Sequence, residues 1–391
     1  SHTGALAGIS EVAKGAFKRA GIVVIENSDE LFPAAETLSS LPPIKNNKVA
    51  ILADGGGHAT IAADLLTDLG VELPELSEKT RARLQNILPA AASIPNPVDV
   101  AGGTDADPSV FADCAEIILK DSNVGGLLIV GLFGGYGIRF AESLSLMEED
   151  AAHRMGKLVK KRNKPIVLHS LYNSEKPHAL DLLRYYNIPV YDSLDISTKC
   201  MAVLVEYGSY LGGYHGKVSF ELNWKAKARP EGDKIIKTAL RDGRQALLEY
   251  EAKKLFEIHG APVPQDCLVQ SADEAVQCAM DLGTDVAMKI VSPDILHKSD
   301  AGGVRIKLTS EKEIRSAYRE ILKNSKKYDA KADIRGVLVS PKADEGVEVI
   351  IGTKTDDHFG PVIMYGLGGV MVEILKDVAF RVLPISPTDA R

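Results

Sequence analysis

Lys289 stands inside an apolar run, VAMKIV (286–291), where an unpaired ammonium group is costly. Eight residues on comes His297, in a polar stretch with Lys298, Asp300 and the pair Gly302–Gly303. A strand lysine beside a glycine loop is suited to gripping a triphosphate, the ammonium meeting phosphate oxygens as a point charge. The plain alternative is an edge-strand lysine whose head reaches water, next to a surface histidine. A second stretch, ADGGGHAT (53–60), sets Gly55, Gly56 and Gly57 between an apolar strand and a helix. Backbone N–H groups at a helix start are unpaired, and the macrodipole adds about half a positive charge, so such a turn can hold an anion. It carries neither the GK[ST] of a Walker A loop nor a GxGxxG pattern, and a tight strand-to-helix turn is the bland alternative.

Two further stretches carry candidate chemistry. In MYGLGGVMVEILKD (364–377), Gly366, Gly368 and Gly369 lie between apolar strands and fit a phosphate-covering loop or a simple hairpin; Glu373 and Asp377 are candidate metal ligands or solvated acids. At the start of the chain, SHTG places His2 ahead of a helical pattern. Imidazole is a competent nucleophile near pH 7, where it is largely neutral. Phosphorylated imidazole is an anion that helix-end amides would welcome. SHTG before one helix and GGGHAT before another could therefore hold one phosphoryl-imidazole; a surface capping turn is the alternative for His2.

These residues need elements to position them. Leu6, Ile9, Val12, Ala13, Ala16, Phe17 and Ala20 recur at helical steps, Gly21 stops the helix, and IVVIEN (22–27) reads as a short strand. LPPIKNN (41–47) is a linker. From Lys48 to about residue 213, apolar strands alternate with helices, which implies a parallel, doubly wound sheet. Residues 214–245 read as a polar, basic linker, and from Ala246 the pattern is mixed α+β. The expected division is 1–43, 44–213, linker 214–245 and 246–391.

Composition narrows the function class. At roughly 100–200 residues per domain, 391 residues make two to four domains. A net charge of −7 argues against nucleic acid or an anionic membrane as the main partner. No apolar run approaches a membrane-spanning length of about 18 residues. The four cysteines are scattered without a CxxC spacing, which reads as a reduced, cytoplasmic protein with no zinc site.

Taken together, these stretches resemble the NDP-forming acyl-CoA synthetases, the family of ADP-forming acetyl-CoA synthetase and succinyl-CoA synthetase. SHTGALAG is similar to its phosphohistidine segment, ADGGGHATIAADLL to the glycine-turn helix of its second CoA-ligase-type domain. VAMKIVSPDILHKSDAGGVRI, GVEVIIG, FGPVIMYGLGG and VEILKDVAFRVLP are similar to its ATP-grasp domain. The resemblance implies a flavodoxin-like doubly wound domain followed by an α+β ATP-grasp domain, with residues 1–43 the end of a preceding ligase-type domain. It implies His2 as the phosphorylated nucleophile and His297 as a second relay histidine. It places Lys289, Gly302, Gly303, Glu348, Gly366, Gly368 and Gly369 at the nucleotide, and Gly55, Gly56 and Gly57 at the phosphohistidine.

The implied reaction interconverts acyl-CoA, ADP and phosphate with a carboxylate, ATP and CoA, using ATP/ADP, Mg²⁺ and coenzyme A, the last held mostly outside this chain. A homodimer is implied by the resemblance alone. The chain departs from the family pattern in lacking the CoA-binding domain and the metal-binding end of the ATP-grasp domain, so it reads as a fragment. Ser340-Pro341-Lys342 replaces the expected hinge residues. The rival from another class is a regulatory synthetase-like module of a protein acetyltransferase, which would be expected to lose His2 and His297; another carboxylate–amine ligase of the ATP-grasp type would not need the doubly wound unit. The acyl group and the choice of ADP or GDP are not written in these residues.

Overall fold

A computed structural model describes residues 10–213, 230–283, 285–368, 378–385 and 390. The chain forms two compact units, one of Ser1–Phe220 with Val349–Arg391, the other of Glu221–Glu348.

The first unit runs α1 (Ser10–Arg19), α2 (Ser28–Ser40), β1 (Val49–Ala53), α3 (Gly56–Asp68), α4 (Glu78–Gln85), β2 (Val98–Asp99), α5 (Val110–Leu119), β3 (Gly126–Gly131), α6 (Tyr136–Arg139), α7 (Leu144–Arg162), β4 (Ile166–Ser170), α8 (His178–Tyr185), β5 (Val190–Tyr191) and α9 (Leu194–Gly213). Its five strands are parallel in the order β2-β1-β3-β4-β5. That is the flavodoxin-like order, with its switch point between β1 and β3. Every residue of β1 and β3 is buried. Unbroken apolar strands follow from this, because helices cover both faces. α3 packs with α9 and α9 with α2, while α5, α7 and α8 pack together.

The run 22–27 is not a strand. Its β-branched residues fit the propensity, but a strand exists only with a pairing partner, and Ile22 is exposed. Gly21 does end α1, with φ +74° and no room for a side chain beside the Tyr210 ring. In the same unit, β10 (Val349–Asp356), β11 (Gly360–Leu367) and β12 (Val378–Val382) form an antiparallel sheet. α1 packs against β12, where Gly15 lies over the Phe380 carbonyl and Arg19 donates to the Val382 carbonyl.

The second unit is an antiparallel sheet in the order β6-β9-β7-β8, built from β6 (Cys267–Val269), β7 (Val286–Val291), β8 (Val304–Leu308) and β9 (Gly336–Pro341). Helices Ala272–Leu282 and Glu311–Tyr328 bury one apolar cluster with it. Both start at Ser-x-x-Glu sequences, where Ser271 and Ser310 accept hydrogen bonds from the backbone N–H of Glu274 and Glu313. On another side, Leu248 and Tyr250, at the start of helix Glu249–Ile258, pack with Val291 and Leu338.

Two sequence readings change here. Part of the expected linker is a helix, Pro230–Arg241, with proline at its first position and Glu231 and Asp233 in its first turn. Its charged surface hid its helical period. Cys267 and Cys278 are joined by a disulfide, because helix Ala272–Leu282 returns over β6 and brings their Cα atoms to 6.4 Å. Cys114 and Cys200 are free and buried. Among the described residues no helix is long and apolar enough to cross a membrane.

Candidate functional site

The glycine turn sits where the sheet opens. β1 ends at Ala53, Asp54 follows, and α3 begins at Gly56. No side chain caps α3 and no acid lies in its first turn. A Cβ built on Gly57 meets nothing within 4 Å, and on Gly55 or Gly56 it meets only ordinary contacts. Packing therefore does not demand glycine at these positions. Their effect is to leave the first amides of a 13-residue helix bare, which is the arrangement that receives an anion.

Residues from the neighbouring strand ends converge on this turn. The Leu132 amide, just after β3, donates to both Asp54 oxygens at 3.0 and 2.9 Å, across the switch point. The Tyr136 hydroxyl donates to Asp54 Oδ2 at 3.1 Å and lies 2.6 Å from Thr104 Oγ1. The loop carrying these donors is pinned from behind: the buried Glu148 carboxylate accepts from the amides of Gly134, Tyr136 and Gly137. His169, at the end of β4, packs its ring 5.8 Å from that of His58 on α3. Its Nδ1 accepts from the Gly131 amide at 3.3 Å, which leaves the proton on Nε2. Burial, then the neighbouring His58, pushes His169 down to about 4, so the ring is neutral at physiological pH.

Burial pushes the Asp54 carboxyl up to about 6, against the Leu132 amide and Tyr136 hydroxyl that favour its ionised form. Near neutrality this carboxyl is easily protonated, which softens its repulsion of an anion on the adjacent amides. The linkage has a definite sign. In the unfolded chain the group ionises near 3.8, in the folded protein near 6. Its contribution to stability is thus fully present below about pH 4 and is lost as pH rises through 6. Asp54→Asn, neutral at every pH, is expected to match wild type near pH 4 and to exceed it by about 2–3 kcal/mol at pH 8. Denaturant unfolding across that range checks this; an offset independent of pH contradicts it.

The second unit gathers cations. Lys289 on β7 is not an isolated strand charge: its Nζ donates to Glu249 Oε1 at 2.8 Å. Lys298 donates to Glu249 Oε2, also at 2.8 Å. Lys253 lies 3.3 Å from Glu249 Oε1 and pairs with Asp266. Burial acts to raise the Glu249 pKa, but the two lysines outweigh it and hold the carboxyl down at about 2. His297 is exposed in the loop between β7 and β8. Gly303 closes that loop, its amide donating to the Lys298 carbonyl; a Cβ there would stand 2.5 Å from the Ile290 side chain. Gly302 has φ +60°. These two glycines thus have a packing role of their own.

The remaining sequence candidates are spread out. Glu348 is exposed immediately ahead of β10. Gly366 is buried on β11, paired with Ile350 and Val378, and Gly368 follows the strand. His2, Gly369, Glu373 and Asp377 lie outside the described residues. Among the described residues, no group of three or more His, Cys, Asp or Glu side chains is arranged to hold a metal ion, so no Mg²⁺ ligands are assigned. Sequence reading did not single out Asp54, His58, Tyr136, Glu148, His169 or Glu249. The available signal for two of them was a polar residue at the carboxyl end of an apolar strand, LADG for Asp54 and VLHS for His169.

Known proteins share these segments. Residues 238–391 match a family model described as an ATP-grasp domain. The chain is 33% identical over 391 residues to a 4-hydroxybutyrate–CoA ligase (ADP-forming) of Nitrosopumilus maritimus, covering all of this chain and 54% of that protein. It is 36% identical to an acetate–CoA ligase (ADP-forming) of Methanocaldococcus jannaschii, over 99% of this chain and 54% of that one. It is 49% identical over 161 residues to the beta subunit of acetate–CoA ligase (ADP-forming) II of Pyrococcus furiosus, covering 41% of this chain and 68% of the subunit. The chain thus spans about half the length of the first two relatives.

Proposed function

Since the chain belongs to the family of ADP-forming acyl-CoA synthetases, we propose that the protein it forms part of interconverts acyl-CoA, ADP and phosphate with a carboxylate, ATP and CoA. The observation that carries the reading is the bare, uncapped start of α3 at the switch point of a flavodoxin-like sheet. It is an anion site without a nucleotide-binding fingerprint, suited to a phosphoryl group presented by another residue.

Phosphate attacks the thioester carbonyl, and the C–S bond breaks to release CoA and leave an acyl phosphate. His2 attacks that phosphorus; the P–O bond to the acyl group breaks, and the carboxylate departs. The phosphoryl-imidazole rests against the amides of Gly55–Gly57. His297 then accepts the phosphoryl group and delivers it to the terminal phosphate of ADP, held by Lys289 and Lys298. Two carriers suit a reaction that moves one phosphoryl group between two sites, since in-line transfer needs reacting atoms about 3–3.5 Å apart. In this reading 1–43 ends one ligase-type domain, 44–213 is a second, 246–391 belongs to the ATP-grasp portion, and CoA is held mostly outside this chain. By the family resemblance alone, Glu348, Gly366, Gly368 and Gly369 are further proposed nucleotide contacts, and Mg²⁺ accompanies the nucleotide.

The test is ATP formation by the full-length protein. ATP should appear only when ADP, phosphate and an acyl-CoA are all present, and a panel of thioesters would identify the acyl group. Failure with every thioester, or ATP made without one, would overturn the reading.

A further inference from the structure

Glu249 sits among the ammonium groups that phosphate is proposed to meet. It is the first residue of helix Glu249–Ile258, and its two oxygens serve different parts of the unit. Oε1 takes Lys289 on β7 and Oε2 takes Lys298, each at 2.8 Å. Lys253, one turn along the same helix, approaches Oε1 at 3.3 Å and pairs onward with Asp266. Three ammonium groups thus face two carboxylates, and one positive charge is left over.

Lys298 is the immediate neighbour of His297. The base of their loop is held by the buried Ile295 and Ala301 and by the Ile290 amide donating to the Gly303 carbonyl. Its apex is exposed at His297, Ser299 and Asp300, and Lys298 ties that apex to Glu249. One carboxylate therefore fixes both lysines and the loop that bears the histidine.

We propose that Glu249 is a positioning residue, an internal stand-in for a phosphoryl group that holds Lys289 and Lys298 in gripping position, pins the His297 loop and yields the lysines to a nucleoside diphosphate. The assignment rests on the synthetase reading. A carboxylate bridging two ammonium groups offers two oxygens much as a phosphoryl group does. Without it the two lysines would repel each other and the loop apex would lose its tie. With it, an incoming anion must compete for them. A ligand with one or two charges gains little by that exchange, whereas a diphosphate brings several negative charges and prevails. Glu249 thus weakens nucleotide binding while improving the transfer that follows, and it favours polyphosphate over free phosphate.

These two effects have opposite signs, which makes them separable. In the full-length protein, ADP affinity is measured by calorimetry at low and high salt, and kcat for phosphoryl transfer to ADP by rapid quench. Glu249→Gln is expected to bind ADP roughly 3- to 10-fold tighter, with a steeper loss on adding salt. Its transfer rate should fall on the order of 10- to 100-fold, the cost of a displaced reacting group. Lys298→Met frees the apex but leaves Lys289 on Glu249; it should also slow transfer, with weaker rather than tighter ADP binding. Restoring the acid as Glu249→Asp should recover part of the wild-type kcat. Unchanged ADP affinity in Glu249→Gln, or weaker affinity at full kcat, overturns the proposal. If Glu249→Gln does not fold, Lys298→Met decides: transfer at the wild-type rate overturns it. Wild-type protein that binds no ADP overturns the synthetase reading and this assignment with it, whereas ADP binding indifferent to Glu249 overturns the assignment alone.

Discussion

Full-length protein carrying His2→Asn is expected to turn over on the order of 10⁴-fold or more slowly than wild type, the scale seen when a covalent nucleophile is removed. Asparagine keeps the approximate size and one hydrogen-bonding edge of the imidazole, but it offers no nitrogen lone pair for phosphorus. The acyl phosphate would still form from the thioester, since that step uses phosphate itself. Transfer to the protein would not follow. ADP binding should be unaffected, because the lysine cluster belongs to Glu221–Glu348 and its partners among the described residues are Glu249 and Asp266. A steady-state assay beside an ADP titration separates these outcomes. Near-normal turnover in His2→Asn would remove the phosphohistidine from the mechanism.

Gly57→Asp is expected to cut activity at least about 100-fold while leaving stability equal or slightly raised. The geometry makes the two effects diverge. A Cβ at Gly57 enters open space, so the substitution creates no clash. A carboxylate in the first turn of α3 is favourable for the helix by about 0.3–1 kcal/mol. That same carboxylate fills the anion site and repels a phosphoryl group, in the way that removing one oxyanion donor costs about 10²–10³-fold elsewhere. Gly57→Ala, which adds bulk without charge, should lose far less. Melting temperature and turnover are measured on the same preparations. Unimpaired activity in Gly57→Asp would mean that these amides do not hold the phosphoryl group, whereas a large fall in melting temperature would mean that the glycine is there for folding.

The parallel sheet was legible because its three central strands, β1, β3 and β4, are fully buried and apolar for most of their length, and helices alternate with them; the two-residue edge strand Val98–Asp99 gave no such signal. The glycine turn was legible because the strand, the three glycines and the helix are contiguous. The crevice around it was not. Asp54 meets Leu132 across 78 residues, and His169 meets Gly131 across 38, so their convergence depends on strand order. That order is set by helix packing on each face, which the local pattern does not encode. Lys289 shows the same limit in sharper form. Its position in an apolar strand announced that it needed a partner, yet Glu249 lies 40 residues earlier on a helix whose sequence reads as an ordinary solvated start. The Cys267–Cys278 bond was hidden for a related reason: eleven residues of separation carry no signature until the helix folds back over β6. The IVVIEN run misled in the opposite direction, since propensity without a neighbouring strand builds no sheet.

In the proposed reaction, phosphate reaches ADP through a phosphorylated histidine on this chain. This is tested most directly by incubating the full-length protein with radiolabelled phosphate and an acyl-CoA, without nucleotide, and then adding ADP. A phosphohistidine relay predicts acid-labile, base-stable label on the protein that is absent from His2→Asn, moves into ATP when ADP is added, and stays on the protein in His297→Ala. ATP formed from acyl-CoA, phosphate and ADP with no labelled protein at any time, or with label that ADP fails to discharge, would contradict it.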